Sequence, residues 1–384
     1  ATTMESQHGP GRTKDGLHEM PPVSEPESWP DRVATWQEAI DRKWKGALEA
    51  GFLRLTECLT WAYVATVLIV WMVLYWAGDR WWAASLLLFG PRWFGLLPLL
   101  VLLPLAAVMR PRLLRPIVVA ALLFVFGVTG FQMPRPWQRL SAVEPPVVSL
   151  LTCNVHGGQM GWERFQQLLY QAAPDIVALQ ELSGDVDLPF PEDWHVAREG
   201  PLVLASPHPI QNVRTWYRLE PPAKWPPLLG LCAEVHVPGR PVTVCNVHLT
   251  SPQQGITEAL DRYTLVNVGR TEKLKRLNQL RRQESAGLTA WIRDQAQVDI
   301  VLGDFNLPVE SRIYRESWGD LRNAFSEVGC GLGYTRWVSL HNFRYGARID
   351  HILTSDAWRP VRCRIERDIG SDHIPLVADV CPAE

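Results

Sequence analysis

Polar and apolar stretches alternate along the first third of the chain, and each stretch predicts a different kind of element. Apolar residues from Trp29 to Phe52 recur at helical spacing, and basic residues occupy the other faces. A basic helix with tryptophan on its apolar side is typical of a membrane surface, although a soluble helix packed on the rest of the protein is the alternative. We therefore predict a disordered polar tail over residues 1–28 and an amphipathic juxtamembrane helix over residues 29–54.

Three longer apolar runs follow, and their lengths suit a bilayer. They predict transmembrane helices at about residues 55–78, 93–109 and 117–133. Gly90-Pro91-Arg92 interrupts the second apolar region, so the part before it is interpreted as an interfacial or re-entrant piece. Buried helices of a soluble protein are the alternative, but so much uncharged length with tryptophan near its ends favours membrane spans.

Basic residues around the three runs predict how they are oriented. Four precede the first run and three occupy the loop between the second and third: Arg42, Lys43, Lys45 and Arg54, then Arg110, Arg112 and Arg115. An excess of lysine and arginine marks cytoplasmic segments. We therefore expect an integral protein of the plasma membrane with a cytoplasmic N-terminus. Residues after the third span, beginning with a proline-rich linker at 134–146, would lie outside the cytoplasm.

After the linker, short apolar strands alternate with helices. The apolar runs predict strands at residues 147–152, 175–179, 201–205, 231–237, 242–247, 299–302, 349–354 and 374–380. Helical patterns predict helices at residues 162–172 and 281–294. A domain of this length, residues 147–384, buries a substantial core. The hydrophobic fraction of 47% is ordinary, and a net charge of −2 carries no general signature of nucleic-acid binding.

Polar side chains follow the strands at the points where the strands end. The apolar run before Gly303 leads into Asp304 and Asn306, which strand alternation would place on one side. Other strand boundaries carry Asn154, Glu181, His248, Asp350 and the cluster Ser371-Asp372-His373. Each alone has an ordinary structural explanation, such as a solvated turn, a helix cap or a structural histidine. Together, at one rim, they would form an oxygen-rich pocket that suits Mg²⁺ or Mn²⁺ rather than Zn²⁺.

The order of these motifs resembles the endonuclease/exonuclease/phosphatase family, which includes deoxyribonucleases, abasic-site endonucleases, neutral sphingomyelinases and inositol-polyphosphate 5-phosphatases. The motifs that carry the resemblance are Asn154, Gln180-Glu181, His248, Gly303-Asp304-Phe305-Asn306, Arg348-Ile349-Asp350-His351 and Ser371-Asp372-His373-Ile374-Pro375. The resemblance implies an α+β four-layer sandwich, in which two central β-sheets are flanked by helices, here preceded by transmembrane helices. It also implies metal-dependent hydrolysis of phosphoester bonds.

The resemblance assigns a metal site and implies Mg²⁺, or Mn²⁺, as the cofactor. Glu181 would be the principal ligand. Asn154 and Asp372 would complete the site.

The resemblance also assigns catalytic roles to five residues. Asp304 and Asn306 would position and activate the attacking water or bind the phosphate. Asp350 would fix the ring of His373, which would bind or protonate the phosphoryl group. His248 would contact a phosphate oxygen and assist the leaving group.

The chain departs from the family pattern at three points. His351 replaces an aromatic residue that commonly follows the motif aspartate. Deoxyribonuclease-like members have a glutamate that supports the histidine equivalent to His248, and Glu199 is the candidate here. The tyrosine typical of abasic-site enzymes has no identified counterpart.

Two substrate classes are considered, and a nuclease-like substrate, cut by endonuclease or exonuclease action, is the favoured hypothesis. Basic residues between Ser251 and Gln283 favour nucleic acid, unless they belong to a solvated helix face. The segment Tyr334-Thr335-Arg336-Trp337, with His341 and Phe343 after it, offers stacking on a base or contact with a lipid headgroup. The membrane spans favour a phospholipid, sphingomyelin-type or inositol-phosphate substrate. A third hypothesis is a non-catalytic membrane binding protein.

The seven cysteines form no regular framework. Cys232 and Cys245 flank a predicted hairpin at Pro238-Gly239-Arg240-Pro241. A turn of these four residues places the two cysteines out of register, which predicts that no disulfide joins them. The cysteines therefore do not indicate a cellular compartment.

Overall fold

The computed structural model describes residues 29–134, 147–184, 186–218, 227–260, 268–294, 298–340 and 343–383. The predicted tail at residues 1–28 and residues 135–146 of the predicted linker lie outside this part of the chain. The chain forms two compact units, Ala1–Leu55 and Thr56–Glu384. The apolar helices from Thr56 onward therefore share one unit with the sandwich.

A single long helix, α1, runs from Trp29 to Met72 without a break between the predicted amphipathic segment and the first predicted span. In its first part, which belongs to the first unit, large apolar side chains are exposed: Trp36 is 72% and Trp44 is 65% exposed. A helix that exposes such side chains has an apolar face in need of a partner or a membrane.

The apolar helices after α1 are short pieces joined by tight turns. A π-helical turn covers Val73–Ala77, and α2 (Trp82–Phe89), α3 (Leu99–Met109) and α4 (Leu114–Leu122) follow, with a second π-helical turn at Leu123–Val128. Three helical stretches are long and apolar enough to cross a membrane: Arg32–Arg80, Arg92–Met109 and Pro111–Val128. Val67, Ile117 and Phe124 lie in their shared core. Gly95 leaves room for the Phe124 ring, which a Cβ there would overlap.

The remaining helices and strands build a sandwich. Its helices are α5 (Trp162–Ala172), α6 (Gln253–Ala259), α7 (Glu272–Asp294), α8 (Arg312–Trp318) and α9 (Ala324–Val328). Its first strands are β1 (Val148–Asn154), β2 (Ile176–Gln180), β3 (His195–Glu199), β4 (Leu202–Ser206), β5 (Ile210–Tyr217), β6 (Leu228–Val237) and β7 (Arg240–His248). The later strands are β8 (Ile300–Asp304), β9 (Arg322–Asn323), β10 (Arg336–Leu340), β11 (Phe343–Ala347), β12 (Asp350–Thr354), β13 (Trp358–Ile365) and β14 (Leu376–Pro382).

Two six-stranded mixed sheets carry the domain, in the orders β13-β14-β1-β2-β4-β3 and β5-β6-β7-β8-β12-β9. Each sheet has one parallel pair at its centre, β1 with β2 and β7 with β8. The hairpin of β10 and β11 stands apart as a small third sheet.

Alternating apolar residues explain why the sheets form the middle of four layers. On β1, Leu150 packs between the two sheets, and its neighbour Leu151 packs toward α5. On β8, Leu302 packs between the sheets, and Val301 packs on the other face, in a cluster that includes Leu288 of α7. Helices therefore cover both outer faces. The predicted sandwich, two central sheets flanked by helices, is confirmed.

The prediction that no disulfide joins Cys232 and Cys245 is wrong. The turn of the hairpin consists of Pro238 and Gly239 alone, because Val237 already pairs with Arg240. This shorter turn places Cys232 directly opposite Cys245, with the Cα atoms 4.0 Å apart, and the two form a disulfide. The structure thus has one disulfide within the described residues, buried on the outer face of the second sheet.

The apolar helices contact the sandwich through polar groups at one end of the bundle. The buried Asp79 carboxylate accepts hydrogen bonds from the Ser311 hydroxyl at 2.6 Å and from the Arg312 backbone N–H at 3.2 Å. Arg92 pairs with Glu310 at 3.2 Å, and both side chains are largely buried. These specific contacts connect the helices to the segment that follows Asn306.

Candidate active site

The sheet topology brings the polar strand ends together. In each parallel pair the last residues are neighbours: Asn154 with Gln180 on β1 and β2, and His248 with Asp304 on β7 and β8. β12 runs antiparallel to β8, so its first residue, Asp350, lies beside Asp304. The carboxyl ends of four strands and the start of a fifth therefore meet at one rim.

Hydrogen bonds join the two sheets at this rim. The Asn154 Nδ2 group donates to Asp304 Oδ2 at 3.0 Å. One layer deeper, Gln180 Nε2 donates to Asn246 Oδ1 at 2.7 Å, and Asn246 donates in turn to backbone carbonyls of the first sheet. Because every one of these groups is buried, a shift between the sheets would leave polar atoms unpaired.

The turn after β8 is shaped by backbone conformation as well as by side chains. Gly303 has φ +140°, and a Cβ there would clash with the Val247 carbonyl oxygen of the neighbouring strand. Asn306 has φ 50°, so it leaves the strand, and its backbone N–H donates to Asp304 Oδ1 at 2.8 Å. Its Nδ2 donates to the Leu249 carbonyl at 2.8 Å. The turn, rather than strand alternation, keeps Asp304 and Asn306 together.

The Asn306 side-chain oxygen has an unusual position. It is buried and has no hydrogen-bond partner within the described residues. An unpaired buried acceptor costs free energy, so its retention indicates that a donor or a cation belongs beside it.

His373 and Asp350 form a buried pair. His373 Nδ1 lies 2.8 Å from Asp350 Oδ2 and 3.0 Å from Oδ1, so Nδ1 carries the proton and donates it. His373 Nε2 lies 3.7 Å from Asp304 Oδ2 and has no hydrogen-bond partner in the described structure. Burial opposes a charge on the ring, but the carboxylates of Asp350 and Asp304 outweigh it and raise the His373 pKa from 6.5 to about 9.

Replacing Asp350 by Asn tests this pair through pH. In the metal-free protein, the raised pKa of His373 contributes stability that is fully present below pH 6.5 and is lost as the pH rises through about 9. We expect Asp350→Asn to flatten that decline in the thermal unfolding temperature and to lower kcat roughly 10²–10⁴-fold. Thermal unfolding between pH 6 and 10, with turnover at one pH, measures both. A variant that fails to fold would make the role of Asp350 structural.

Glu181 and His248 form the other side of the rim. His248 Nε2 lies 3.3 Å from Glu181 Oε1 and 3.7 Å from Asp304 Oδ2. Burial would raise the Glu181 pKa, but hydrogen bonding and charge from His248 lower it to about 2, so this carboxylate is ionised at neutral pH. Burial opposes a charged His248, whereas Glu181 and Asp304 raise its pKa overall. Among the residues that the structure describes, Glu181 and Asp304 are the carboxylates within 4 Å of a ring nitrogen of His248. Glu199 lies exposed on β3 and is not one of them.

Asp372 has two neighbours at the rim: His156, which the sequence did not identify as a site residue, and Arg336, which belongs to the predicted aromatic-basic segment. His156 Nδ1 lies 3.4 Å from Asp372 Oδ1 and 3.9 Å from Glu181 Oε2, so it bridges two predicted metal ligands. Arg336 NH2 lies 3.0 Å from Asp372 Oδ2. The position of His156, two residues after Asn154, was the available signal, and its positive φ of 46° brings the ring back over the rim.

The contacts of the His351 ring indicate a structural role. Its Nε2 donates to the Leu307 carbonyl at 2.7 Å, and its Nδ1 accepts from Asn323 at 3.2 Å. The ring packs against Phe305 and Tyr314. Burial lowers its pKa to about 4, so it stays neutral. A histidine therefore fills the aromatic position and supports the turn after Asp304.

The donor set fits a divalent cation. One ligand atom from each of Glu181, His248 and Asp304 lies within 4.8 Å of the others. Burial and the nearby charge of Asp350 raise the Asp304 pKa, which shows how much negative charge is concentrated here. Asp372 Oδ1 is buried and makes no hydrogen bond within the described residues, although His156 Nδ1 lies 3.4 Å away, and the Asn306 oxygen is likewise unpaired. Several oxygen ligands around concentrated negative charge are what Mg²⁺ and Mn²⁺ require. The Asn154 amide is already bonded to Asp304 and to the His156 backbone.

The basic segment between Ser251 and Gln283 is mostly bound up in internal contacts. Lys273 pairs with Glu258, Lys275 with Glu272, and Arg282 with Glu316. Arg281 is fully buried. Arg262 and His341 lie outside the described residues. In the predicted aromatic-basic segment, Trp337 stacks edge-on to Tyr334 and under Arg344.

A family model described as the endonuclease/exonuclease/phosphatase family matches residues 151–373, which is more than half of the chain. The chain belongs to the endonuclease/exonuclease/phosphatase family. Members of this family are phosphoester hydrolases and typically depend on a divalent metal. The matched region begins in β1 and ends at His373, so it contains the whole rim described above.

Solved structures similar to this chain come from several organisms. A 3'-5' exonuclease, NExo, from Neisseria meningitidis is 26% identical, with a TM-score of 0.44, over 60% of this chain and 98% of that one. An endonuclease/exonuclease/phosphatase family protein from Bacteroides thetaiotaomicron is 13% identical, with a TM-score of 0.44, over 63% and 100%. The catalytic domain of human Nocturnin is 17% identical, with a TM-score of 0.43, over 65% and 100%. No curated protein sequence matches significantly.

Proposed function

We propose that this protein is a divalent-metal-dependent phosphoester hydrolase held at a membrane. One observation carries the proposal: two carboxylate–histidine pairs face each other across Asp304, with the Nε2 atoms of His248 and His373 each 3.7 Å from Asp304 Oδ2. These groups can surround a phosphate from two sides.

The cation would be held by Glu181 and Asp372, with the Asn306 oxygen and Asn154 nearby, as the orphaned oxygens and the ionised Glu181 support. When bound, Mg²⁺ or Mn²⁺ would offset negative charge on the phosphate oxygens and lower the pKa of water. The side chains would carry out the proton transfers and donate hydrogen bonds to the phosphate.

Asp304 is the proposed proton acceptor for the attacking water. Its raised pKa makes it a stronger base than an ordinary aspartate. The water oxygen forms a bond to phosphorus, the ester P–O bond breaks, and the leaving oxygen takes a proton to become an alcohol. His373, whose Nδ1 is held by Asp350, presents Nε2–H to a phosphate oxygen, and His248 presents its ring to the phosphate or leaving group. Hydrogen-bond donors fixed in advance stabilise charge that develops in the transition state.

A hydrolysis panel tests the proposal. We expect the purified full-length protein to hydrolyse a phosphodiester in Mg²⁺ or Mn²⁺ and to lose at least about 100-fold in rate after chelation, recovering when the metal returns. The panel contains DNA, RNA, phospholipid vesicles and a nitrophenyl phosphodiester, with His373→Ala as the inactive control. Activity that survives chelation would refute the metal dependence. If no substrate is hydrolysed above the control, the non-catalytic binding hypothesis replaces this one.

Membrane anchoring and orientation form a separate part of the proposal. Three helices of sufficient length and apolarity, the exposed tryptophans of α1 and the basic loop at residues 110–115 support an N-terminus in the cytoplasm and a sandwich outside it. The Cys232–Cys245 disulfide supports the same side, because disulfides persist in oxidising compartments.

Reporter fusions after residue 384 and before residue 29 test the orientation. We expect a reporter that needs an oxidising compartment to be active only at the C-terminal fusion. Thiol alkylation under denaturing, non-reducing conditions followed by mass spectrometry should find Cys232 and Cys245 oxidised, and denaturation is needed because both are buried in the folded protein. A C-terminal reporter active only in the cytoplasm, with both thiols alkylated, would reverse the orientation.

A further inference from the structure

A cavity of about 310 Å³ adjoins the rim, and Glu181 is not among its lining residues. Asn306 and Arg336 line it where it meets the rim, and Phe89 of α2 lines it as well. Phe89 belongs to the short helix between the first two stretches that could cross a membrane. One cavity is therefore lined both by active-site residues and by the apolar helices.

The two kinds of lining differ in polarity. Arg336 donates to Gln253 at 2.7 Å and to Asp372 at 3.0 Å, so the rim side of the cavity is polar and linked to a predicted metal ligand. Phe89, Ile256 and Ile349 supply an apolar lining. Polar groups at one end and apolar side chains at the other suit a molecule with the same division.

The apolar lining is continuous with the core of the membrane helices. Ala347 and Ile349, from the segment before Asp350, are buried in the same cluster as Leu88 and Phe89, and Ile256 packs against that cluster. An apolar chain in this cavity would therefore lie next to helices that the proposal places in a bilayer. Burial of such a chain against these residues would gain about 0.8 kcal/mol for each methylene group removed from water.

A second cavity, of about 430 Å³, also adjoins the rim. His156, Glu181 and His248 line it, and Ser251 lines both cavities. The reacting phosphate would lie at the rim, between the two cavities. The polar group of the substrate would then occupy the second cavity, and the apolar part the first.

Four of the six basic residues that the structure describes between Ser251 and Gln283 are paired with carboxylates or buried, which does not favour a long polyanion. Lys273, Lys275 and Arg282 all pair with carboxylates, and Arg281 is buried beneath the Phe89 ring, with its guanidinium 5.3 Å from the ring centroid. Nucleic-acid binding depends on cations that replace counterions on phosphates. Paired and buried cations contribute little to that exchange.

We propose that the substrate is an amphiphilic phosphoester whose apolar chain occupies the cavity lined by Phe89 and whose phosphate lies at the rim. The inference rests on the proposed hydrolase function and adds the substrate class to it. Glycerophospholipids and long-chain isoprenoid phosphoesters both have this chemistry.

Two substrates with the same leaving group test whether the enzyme prefers a phosphoester that carries a long alkyl chain. The full-length protein in nanodiscs with Mg²⁺ is given methyl 4-nitrophenyl phosphate or dodecyl 4-nitrophenyl phosphate, and nitrophenolate release is followed. We expect kcat/KM for the dodecyl ester to exceed that for the methyl ester at least about 10-fold, the factor that burying two methylene groups supplies.

Two tryptophan substitutions in α6 test whether the alkyl chain of the substrate lies in this cavity. Thr257 lines the cavity and is exposed, whereas Gln254, also exposed on α6, does not line it. Thr257→Trp should remove most of the dodecyl preference and leave the methyl ester within about twofold, a change of less than 0.5 kcal/mol. Gln254→Trp should keep both rates, which also controls for partition of the dodecyl ester into the bilayer.

Each other outcome overturns a distinct statement. Equal rates for the two esters, with faster hydrolysis of an oligonucleotide, would assign the site to nucleic acid. If Thr257→Trp leaves the preference for the dodecyl ester intact, the alkyl chain of the substrate does not lie in the cavity lined by Phe89. If neither ester nor the oligonucleotide is hydrolysed above the level of Asp304→Asn, the hydrolase function itself is refuted, whereas hydrolysis of the oligonucleotide alone refutes only the amphiphilic substrate class. If the preference holds, ³¹P NMR of nanodisc lipid and of an added isoprenoid phosphoester identifies which source is hydrolysed.

Discussion

Asp304→Asn should lower kcat for phosphoester hydrolysis about 10³-fold or more, while the protein still folds with a moderately lower thermal stability. The substitution preserves shape but removes the proposed proton acceptor and one negative charge beside the proposed cation site. In the metal-free protein it also removes a charge from beside Asp350, and burial with that neighbour already raises the Asp304 pKa. Against this relief, the new amide nitrogen faces donors that now bond to the carboxylate, the side chains of Asn154 and Asn306 or the Asn306 backbone N–H, so the unfolding temperature should fall moderately.

Turnover with Mg²⁺ and thermal unfolding with chelator measure the two effects separately. Asp356→Asn is the matched control, because Asp356 is exposed just beyond the other end of β12, the strand that pairs with β8. The control should match the wild type in both assays. If Asp304→Asn keeps more than about a tenth of the wild-type kcat, Asp304 is not the proton acceptor, since general-base catalysis typically contributes 10²–10⁴-fold.

Arg281→Met should be the most destabilising single change near the site. The Arg281 guanidinium is fully buried, donates to Asn278 Oδ1 at 3.1 Å and hydrogen-bonds the Asn306 carbonyl. Asn278 in turn donates to the Asp79 carbonyl at 2.9 Å and to the Ser85 hydroxyl at 2.8 Å. Arg281 thus connects the apolar helices to the turn that carries Asn306.

The expected loss is about 3 kcal/mol, because hydrogen bonds to a buried charged group are lost and their partners stay unpaired. A roughly 5–10 °C fall in the unfolding temperature corresponds to that loss. Arg282→Met is the control, since Arg282 is partly exposed and its pair with Glu316 is a surface salt bridge worth little. If both variants unfold within about 1 °C of the wild type, the guanidinium is not stabilising this connection.

Local patterns determined much of this protein. Helical spacing and apolar length placed α1 and the later apolar helices, because each depends on residues three or four positions apart. Alternation and apolar runs placed the central strands. A polar residue directly after such a strand also marked Asp304, Glu181 and His248 as site candidates, because a strand end is a fixed point on a sheet edge.

The tertiary structure decided which distant groups meet. A hairpin turn of two residues instead of four brought Cys232 opposite Cys245, a register that depends on the pairing of whole strands. Arg281 belongs to a basic run typical of a solvated face, yet contacts with α2 and the Asn306 turn bury it. His156 joins the rim only because its backbone turns back over Asp372. Hydrogen bonds and apolar contacts between residues more than a hundred positions apart depend on how complete layers pack. Local sequence could therefore identify residues of the site. It could not predict how those residues are arranged in space, or the apolar cavity beside them.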